Sequence, residues 1–148
     1  MSDVVTLLEE LKIDYEFINH EITIKSAQEG ADYFGIEIGQ TAPTLILKSG
    51  MDYYAMIISG DYGKIDFEML KEILKIDEIR LAKPKEVEQI TGCVVGSVAL
   101  IGHGLPTIMD RQMNRYTYIY GGTGKINSTL KINVSDVERL NDVIAYVR

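Results

Sequence analysis

The stretch Thr91-Gly-Cys-Val-Val-Gly-Ser-Val-Ala-Leu-Ile-Gly-His-Gly-Leu-Pro-Thr-Ile-Met-Asp110 places four glycines among apolar and β-branched residues. Its apolar runs predict two strands, at Val94–Ile101 and Leu105–Met109. A glycine within a strand pattern marks a bulge or a close approach of two backbones. The segment Gly102–Gly104 is therefore predicted to fold tightly and to aim backbone N–H groups at a ligand oxygen. A glycine-rich loop that serves only the chain topology remains the alternative.

Upstream of this stretch, helical and strand patterns alternate around capping signals. The predicted helices cover residues 3–13, a segment opened by Ser26, a segment capped by Asp66, and Pro84 to Gly92. The predicted strands are Tyr15–Ile18, a hairpin of Thr44–Lys48 with Tyr53–Ile58, and Ile79–Ala82.

Downstream, the sequence is richer in strand signals and closes with an amphipathic segment. Tyr116–Tyr120 and Lys125–Ile132 are predicted strands joined at the turn Gly121–Gly124. Ser135 opens a predicted last helix that runs to Val147. The whole pattern predicts one α+β domain over residues 1–148, with a mixed, largely antiparallel curved sheet surrounded by helices.

Composition limits the classes of function. The chain has 148 residues and a formal net charge of −7, which argues against a large duplex-binding surface such as DNA requires. Its single cysteine, Cys93, excludes an internal disulfide framework and a multi-cysteine zinc site. With only two histidines besides, no metal is expected. No apolar run reaches the roughly 20 residues of a membrane helix, and no signal peptide is visible, so a cytoplasmic protein without a membrane partner is expected.

The sequence Gly121-Gly-Thr-Gly-Lys125 invites comparison with a phosphate-binding loop. That loop needs a glycine where Ile119 stands and a Ser or Thr where Ile126 stands. The spacing therefore favours a hairpin turn, for which glycine supplies the positive φ.

Other conspicuous side chains have a structural and a functional interpretation. Tyr116, Tyr118 and Tyr120 share one strand face, either as half-buried sheet or as a platform on which bases stack. Cys93 is expected to be a buried structural thiol. For His20, a solvated or capping role is favoured over catalysis.

In order along the chain, several short motifs resemble the YbaK/EbsC family, bacterial editing domains also found inserted in prolyl-tRNA synthetase. The motifs are His20 with Ser26–Ala31, Thr44–Leu47, Ile65-Asp66, Leu81–Val87, Thr91-Gly92 with Val95-Gly96, Leu105–Asp110 and Gly121–Gly124. Each is weak alone, but the ordered set spans nearly the whole chain.

The resemblance implies a stand-alone aminoacyl-tRNA deacylase, which hydrolyses the ester of a mischarged small amino acid without a cofactor. The implied partner is the single-stranded 3′ aminoacyl end of tRNA. The expected catalytic residues are Gly102 and Gly104 as oxyanion donors, His103 as a polar contact or proton carrier at the pocket mouth, and Asp110 as the group that orients a water or a substrate amine. The expected substrate-binding residues are Thr44, Lys48, Gly96, Ser97 and Pro106. No residue is assigned as general base.

Two positions depart from the family pattern. A lysine usually precedes the Thr-Leu strand in the family, and here that position is Pro43. Lys48 stands an odd number of residues away, so it points to the other face of the strand. In the loop after Gly96 the family favours Ser-Pro, and this chain has Ala99-Leu100. A non-catalytic module that binds an aminoacyl-adenosine end or another small ligand on the same fold therefore remains the alternative.

Overall fold

The computed structural model describes residues 4–24 and 26–148, and its strands form two sheets. The four-stranded sheet has the order β1 (Tyr15–Asn19), β8 (Ser128–Asn133), β7 (Tyr118–Gly122), β2 (Thr41–Ala42). The five-stranded sheet has the order β5 (Arg80–Leu81), β3 (Thr44–Ser49), β4 (Asp52–Ile57), β6 (Pro106–Asp110), β9 (Asp142–Val147).

Five helices are described, most of them where the capping signals predict. They are α1 (Val4–Glu10), α2 (Ala27–Phe34), α3 (Phe67–Leu74), α4 (Pro84–Thr91) and α5 (Val134–Leu140). Ser26 Oγ accepts the Glu29 N–H at the start of α2, and the Asp66 side chain caps α3 in the same way. The predicted first residue of α1, Asp3, lies outside the described residues. None of the helices in the described part of the chain has the length and apolarity that a membrane crossing requires.

The strand pairing confirms the α+β class and the mixed, largely antiparallel character of the sheets. Four ladders are antiparallel: β1–β8, β7–β8, β3–β4 and β3–β5. Three are parallel: β2–β7, β4–β6 and β6–β9. The segment from Gly121 to Lys125 joins the two strands of an antiparallel hairpin, as its spacing predicts, although Gly121 and Gly122 belong to β7 itself.

The predicted strand Val94–Ile101 is wrong, because this segment is a loop. Leu100 and Ile101 are fully buried, in one cluster with Ile57 of β4 and Ile119 of β7. The segment is apolar because it enters the core between elements of both sheets. Its backbone makes isolated hydrogen bonds to the β7–β8 hairpin, from Leu100 N to Gly122 O (3.0 Å) and from Gly124 N to Ser97 O (2.9 Å).

The predicted last helix ends at Leu140, and the residues that follow form strand β9. Asn133, and not Ser135, caps the helix, with its side chain accepting the Ser135 N–H. Asn141 leaves the helix in an extended conformation and donates to Leu100 O and Val137 O. Pairing of Asp142–Val147 with β6 then overrides the helical spacing of the apolar residues.

Gly121 and Gly122 allow the loop of residues 97–100 to lie directly on β7. A Cβ on Gly121 would approach Leu100 Cδ1 to 2.5 Å and Ala42 O to 2.8 Å. A Cβ on Gly122 would overlap the Val98 carbonyl oxygen. Any side chain at these positions would therefore push the loop away from the sheet.

We expect Gly122→Ala to lower the free energy of unfolding by about 3 kcal/mol, because the added methyl group meets backbone rather than a movable side chain. Gly30→Ala is the matched control, since its Cβ would meet Ile24 Cγ2 at 3.4 Å in ordinary contact inside helix α2. The control should be neutral, or more stable by up to about 1 kcal/mol. Urea unfolding measures both. Equal stability of Gly122→Ala and wild type would contradict this account of the loop.

Candidate functional site

A cavity of about 570 Å³ is lined by residues of both sheets, and its volume suits a small organic ligand or one nucleoside unit. The strands contribute Thr41, Ala42, Thr44, Leu45, Ile46, Leu81, Tyr120, Gly121, Gly122, Ser128 and Thr129. The helices, loops and turns contribute His20, Thr23, Ile24, Ser26, Ala27, Gly30, Phe34, Pro43, Ala82, Val87, Val95, Gly96, Ser97, Val98, Lys125, Ile126 and Asn127.

The wall of the cavity is poor in ionisable groups. Among the described residues that line it, there is no aspartate, glutamate or cysteine. Lys125 carries the only formal charge of that set, and His20 is its only histidine, the side chain that most often acts as a general base in enzymes. Any acid–base chemistry by these side chains therefore depends on His20.

His20 is held in one orientation by hydrogen bonds on both ring nitrogens. Nδ1 lies 2.7 Å from the Ile22 carbonyl oxygen, and Nε2 lies 3.1 Å from Thr129 Oγ1. A carbonyl only accepts, so Nδ1 carries the proton of the neutral ring and Nε2 accepts from the Thr129 hydroxyl. His20 is 8% exposed and packs edge-on against the rings of Tyr33 and Phe34. The expected solvated role of His20 is therefore wrong.

Thr44 contributes a buried hydroxyl that has no hydrogen-bond partner among the described residues. It stands at the start of β3, directly after Pro43, and both residues line the cavity. Buried hydroxyl groups in proteins are nearly always paired, so an unpaired one in a cavity wall is a natural contact for a bound ligand.

The loop of residues 95–98 presents backbone N–H groups near the cavity. Gly96 has φ +90°, and the Ser97 N–H and hydroxyl both donate to the Val94 carbonyl. In the described structure, the N–H groups of Gly96 and Val98 take part in no hydrogen bond. Gly96, Ser97 and Val98 all line the cavity, so this loop offers two free donors beside it.

Tyr120 joins the cavity wall to the sheet, which supports the half-buried interpretation of the tyrosine stripe. Its ring lies 5.2 Å from the Phe34 ring, and Lys131 Nζ lies 5.0 Å from the centroid of Tyr118 and 5.9 Å from that of Tyr120. Cys93 is buried as expected, at 3% exposure.

Lys48 lies outside the cavity, which corrects its expected place among the substrate-binding residues. Its Nζ is 2.8 Å from Glu86 Oε2, and Arg80 forms a second ion pair with the same carboxylate. The hydrogen bonds from Arg80 and Lys48 hold the pKa of Glu86 well below its usual range. Lys48 is thus committed to a surface ion-pair cluster at β5 and α4.

The expected catalytic residues Gly102, His103 and Gly104 do not line the cavity, nor does Pro106, so the prediction that this loop aims its N–H groups at a ligand there is wrong. Gly102 and Gly104 have φ +84° and +73° because the chain turns there before entering β6. His103 Nδ1 accepts the Leu105 N–H at 3.1 Å, which fixes the turn. His103 Nε2 is buried without a partner among the described residues.

Asp110 also lies away from the cavity and serves the packing of the C-terminal strand. Its carboxylate accepts the backbone N–H groups of Ser59 and Gln112 and pairs with Arg148, at 2.7 Å from Arg148 Nη2. Asp110 is 2% exposed, and these donors occupy both oxygens of its carboxylate. Its role is therefore structural. Of the expected site residues, the structure brings Thr44, Gly96 and Ser97 to the cavity.

Among the cavity side chains to which the sequence interpretation gave no site role, His20, Thr129 and Lys125 matter most for chemistry. His20 is the first residue in the ordered set of family motifs, and its place there is the signal in the sequence that could have identified it. Nothing near Thr129 in the sequence marks it, because its partner is 109 residues away. Lys125 follows the glycine-rich segment that spacing alone assigned to a turn.

A comparison with protein families identifies one match. The model of the aminoacyl-tRNA editing domain matches residues 21–140. This range covers α2 to α5 and nearly all of the cavity wall, with His20 immediately before its first residue.

Curated proteins similar to this chain include proline–tRNA ligases. That of Caldicellulosiruptor bescii is 27% identical over 114 residues, which are 76% of this chain and 20% of the ligase. That of Fervidobacterium nodosum is 27% identical over 126 residues, which are 82% of this chain and 22% of the ligase. The chain therefore spans about a fifth of the length of these relatives.

Solved structures share the fold. Hypothetical protein APE2540 aligns with a TM-score of 0.87 at 22% identity, over 98% of this chain and 97% of that one. A protein proposed to be a trans-editing enzyme for prolyl tRNA synthetase aligns with a TM-score of 0.80 at 22% identity, over 88% of this chain and 83% of that one.

We expect His103 to make the protein less stable in acid. Burial lowers the pKa of His103 from its ordinary value of 6.5, so the unfolded chain binds a proton that the folded chain rejects. Above pH 6.5, His103 therefore does not make the free energy of unfolding depend on pH. Below pH 6.5, it lowers the free energy of unfolding by at most about 1.4 kcal/mol per pH unit.

The variant His103→Asn keeps an acceptor for the Leu105 N–H and cannot titrate. Urea unfolding between pH 5 and 8 should show wild type losing stability relative to this variant as the pH falls. A constant difference between the two proteins across that range would show that His103 is not held neutral by burial.

Proposed function

Because the chain belongs to the aminoacyl-tRNA editing domain family, we propose that it hydrolyses the ester bond between a small amino acid and the 3′ end of a mischarged tRNA. The amino acid and the terminal adenosine would occupy the cavity of about 570 Å³. A single-stranded end needs few phosphate contacts, which agrees with a net charge of −7.

The hydrogen-bonded pair of His20 and Thr129 is the observation that carries this proposal. An imidazole held by a backbone carbonyl at one nitrogen, with a hydroxyl at hydrogen-bond distance from the other, has the geometry that general-base catalysis requires. It lies in a wall whose described side chains are otherwise apolar, neutral or, at Lys125, positively charged. No other described group in the wall competes for the proton.

In the reaction we propose, Thr129 relays a proton to His20. A water that donates to Thr129 Oγ1 attacks the ester carbonyl carbon while the Thr129 proton passes to His20 Nε2. The positive charge on the ring is stabilised by the Ile22 carbonyl at Nδ1. When the tetrahedral intermediate collapses, the ester C–O bond breaks and the proton returns along the same path to the ribose oxygen. The products are the free amino acid and the free tRNA end.

The backbone of the Gly96 loop and the Thr44 hydroxyl have complementary roles in this proposal. The free N–H groups of Gly96 and Val98 would donate to the oxyanion of the intermediate. Removing one such donor commonly costs about 3–4 kcal/mol of transition-state stabilisation. The unpaired Thr44 Oγ1 would accept a hydrogen bond from the α-amino group of the substrate. Ser97 would hold the loop in position, because its N–H and hydroxyl both donate to Val94 O and its carbonyl accepts the Gly124 N–H.

One observation favours a second function, the binding of an aminoacyl-adenosine end without hydrolysis. Pro43 lines the cavity at the position where the sequence resemblance places a lysine. A wall with so few charged groups can hold an ester without polarising it. Binding of aminoacyl-tRNA with no release of amino acid would support this second function and contradict the first.

The two histidines form a matched pair of variants for testing the proposal. We expect wild type to release amino acid from at least one of Ala-, Cys-, Ser- and Pro-tRNA. His20→Asn should slow the release about 10²- to 10⁴-fold, the usual contribution of general acid–base catalysis. His103→Asn should retain wild-type activity, because His103 lies outside the cavity.

Two variants of Thr129 distinguish a proton relay to His20 from a contact that only supports the structure. Thr129→Ser keeps a hydroxyl near His20 Nε2 and should retain most of the activity, whereas Thr129→Val should lose it in kcat more than in KM. Circular dichroism checks the fold of each variant. Equal rates for wild type and His20→Asn would contradict the mechanism.

A further inference from the structure

We propose that Lys125 binds the phosphate of the 3′-terminal nucleotide, so that the turn of residues 123–127 orients the tRNA end over the cavity. The inference rests on the proposed function and extends it to the part of the substrate that lies beyond the ester. It assigns a recognition role to the glycine-rich segment whose spacing excludes a phosphate-binding loop.

The ammonium group of Lys125 is available for an external anion. No ion pair or side-chain hydrogen bond to it occurs within the described residues. Other cations of the molecule are engaged, for example Lys48 and Arg80 with Glu86, and Arg115 with Asp61. Lys125 is exposed and lines the cavity, where no described carboxylate offers it a partner.

The backbone that carries Lys125 is fixed to both sides of the site. Thr123 Oγ1 accepts the Lys125 N–H at 3.1 Å and donates to the Lys125 carbonyl at 3.3 Å. The Gly124 N–H donates to Ser97 O in the loop that holds the proposed oxyanion donors. At the other end of the turn, Asn127 O accepts the His20 N–H at 3.0 Å. The backbone that carries Lys125 is thus tied both to the loop of the proposed oxyanion donors and to His20.

The residues beside Lys125 fit a nucleotide better than a free anion. Ile126 is 64% exposed and Val95 is 51% exposed, and both line the same cavity. Exposed apolar side chains of this kind offer a surface to a base, while the neighbouring ammonium group offers a partner to its phosphate. A free inorganic anion would use the lysine alone.

Two probes separate the phosphate contact from binding of the rest of the ligand. The first is 3′-alanylamino-3′-deoxyadenosine, an amide that replaces the labile ester, and the second is the same compound with a 5′-phosphate. By calorimetry at low salt, wild type should bind the phosphorylated probe about fivefold more tightly, as an exposed ion pair allows. Lys125→Gln should abolish that preference, Lys125→Arg should retain it, and added salt should weaken it.

Lys64→Gln is the matched control, because Lys64 is exposed and does not line the cavity. This variant should keep the fivefold preference. With aminoacyl-tRNA as substrate, Lys125→Gln should raise KM and leave kcat nearly unchanged.

The outcomes distinguish this inference from the proposed function. If wild type binds both probes equally, or if Lys125→Gln keeps the preference, the role of Lys125 is overturned while the cavity assignment stands. If wild type binds neither probe, the role of Lys125 is overturned, and the proposed function is overturned as well if none of the four aminoacyl-tRNAs is hydrolysed.

Discussion

The close contact between β7 and the loop of residues 97–100 determines how the core and the cavity wall are built. Gly121 and Gly122 carry no side chain, so the backbone of Val98 lies directly against the strand. Leu100 and Ile101 then enter the core shared by the two sheets. The same contact sets the Gly96 end of the loop beside the cavity and ties it to Gly124 of the hairpin turn. One packing arrangement thus supports the core and the cavity wall together.

The chemistry of the site follows from how few ionisable groups reach this wall. In an apolar cavity a hydrogen bond to a neutral imidazole is little screened by water, so a single well-oriented histidine has a large effect. His20 obtains its orientation from local backbone, at Ile22 O, and its proton source from a distant strand, at Thr129. Asp110 and Lys48 are tied into ion pairs elsewhere and stabilise the frame around the site.

Local signals in the sequence predict most of the elements. Ser26 and Asp66 cap the helices that they mark, and the Thr44–Lys48 hairpin forms as its pattern indicates. The errors occur where long-range contacts decide. Val94–Ile101 is apolar because it is buried, and Asp142–Val147 is a strand because β6 is beside it. The sequence predicts the site less accurately than the fold, because the contact between His20 and Thr129 spans 109 positions of the chain.

The location of a bound aminoacyl-adenosine analogue shows whether the cavity that holds His20 and Thr129 is the substrate site. Amide chemical shifts of the ¹⁵N-labelled protein, recorded during titration with a non-hydrolysable analogue, report which backbone groups meet the ligand. We expect the largest shift changes at residues 96–98 and 123–129, a smaller change at the Thr44 amide, and almost none at residues 102–110. The largest changes at residues 102–110, with the amides of residues 96–98 unmoved, would contradict it.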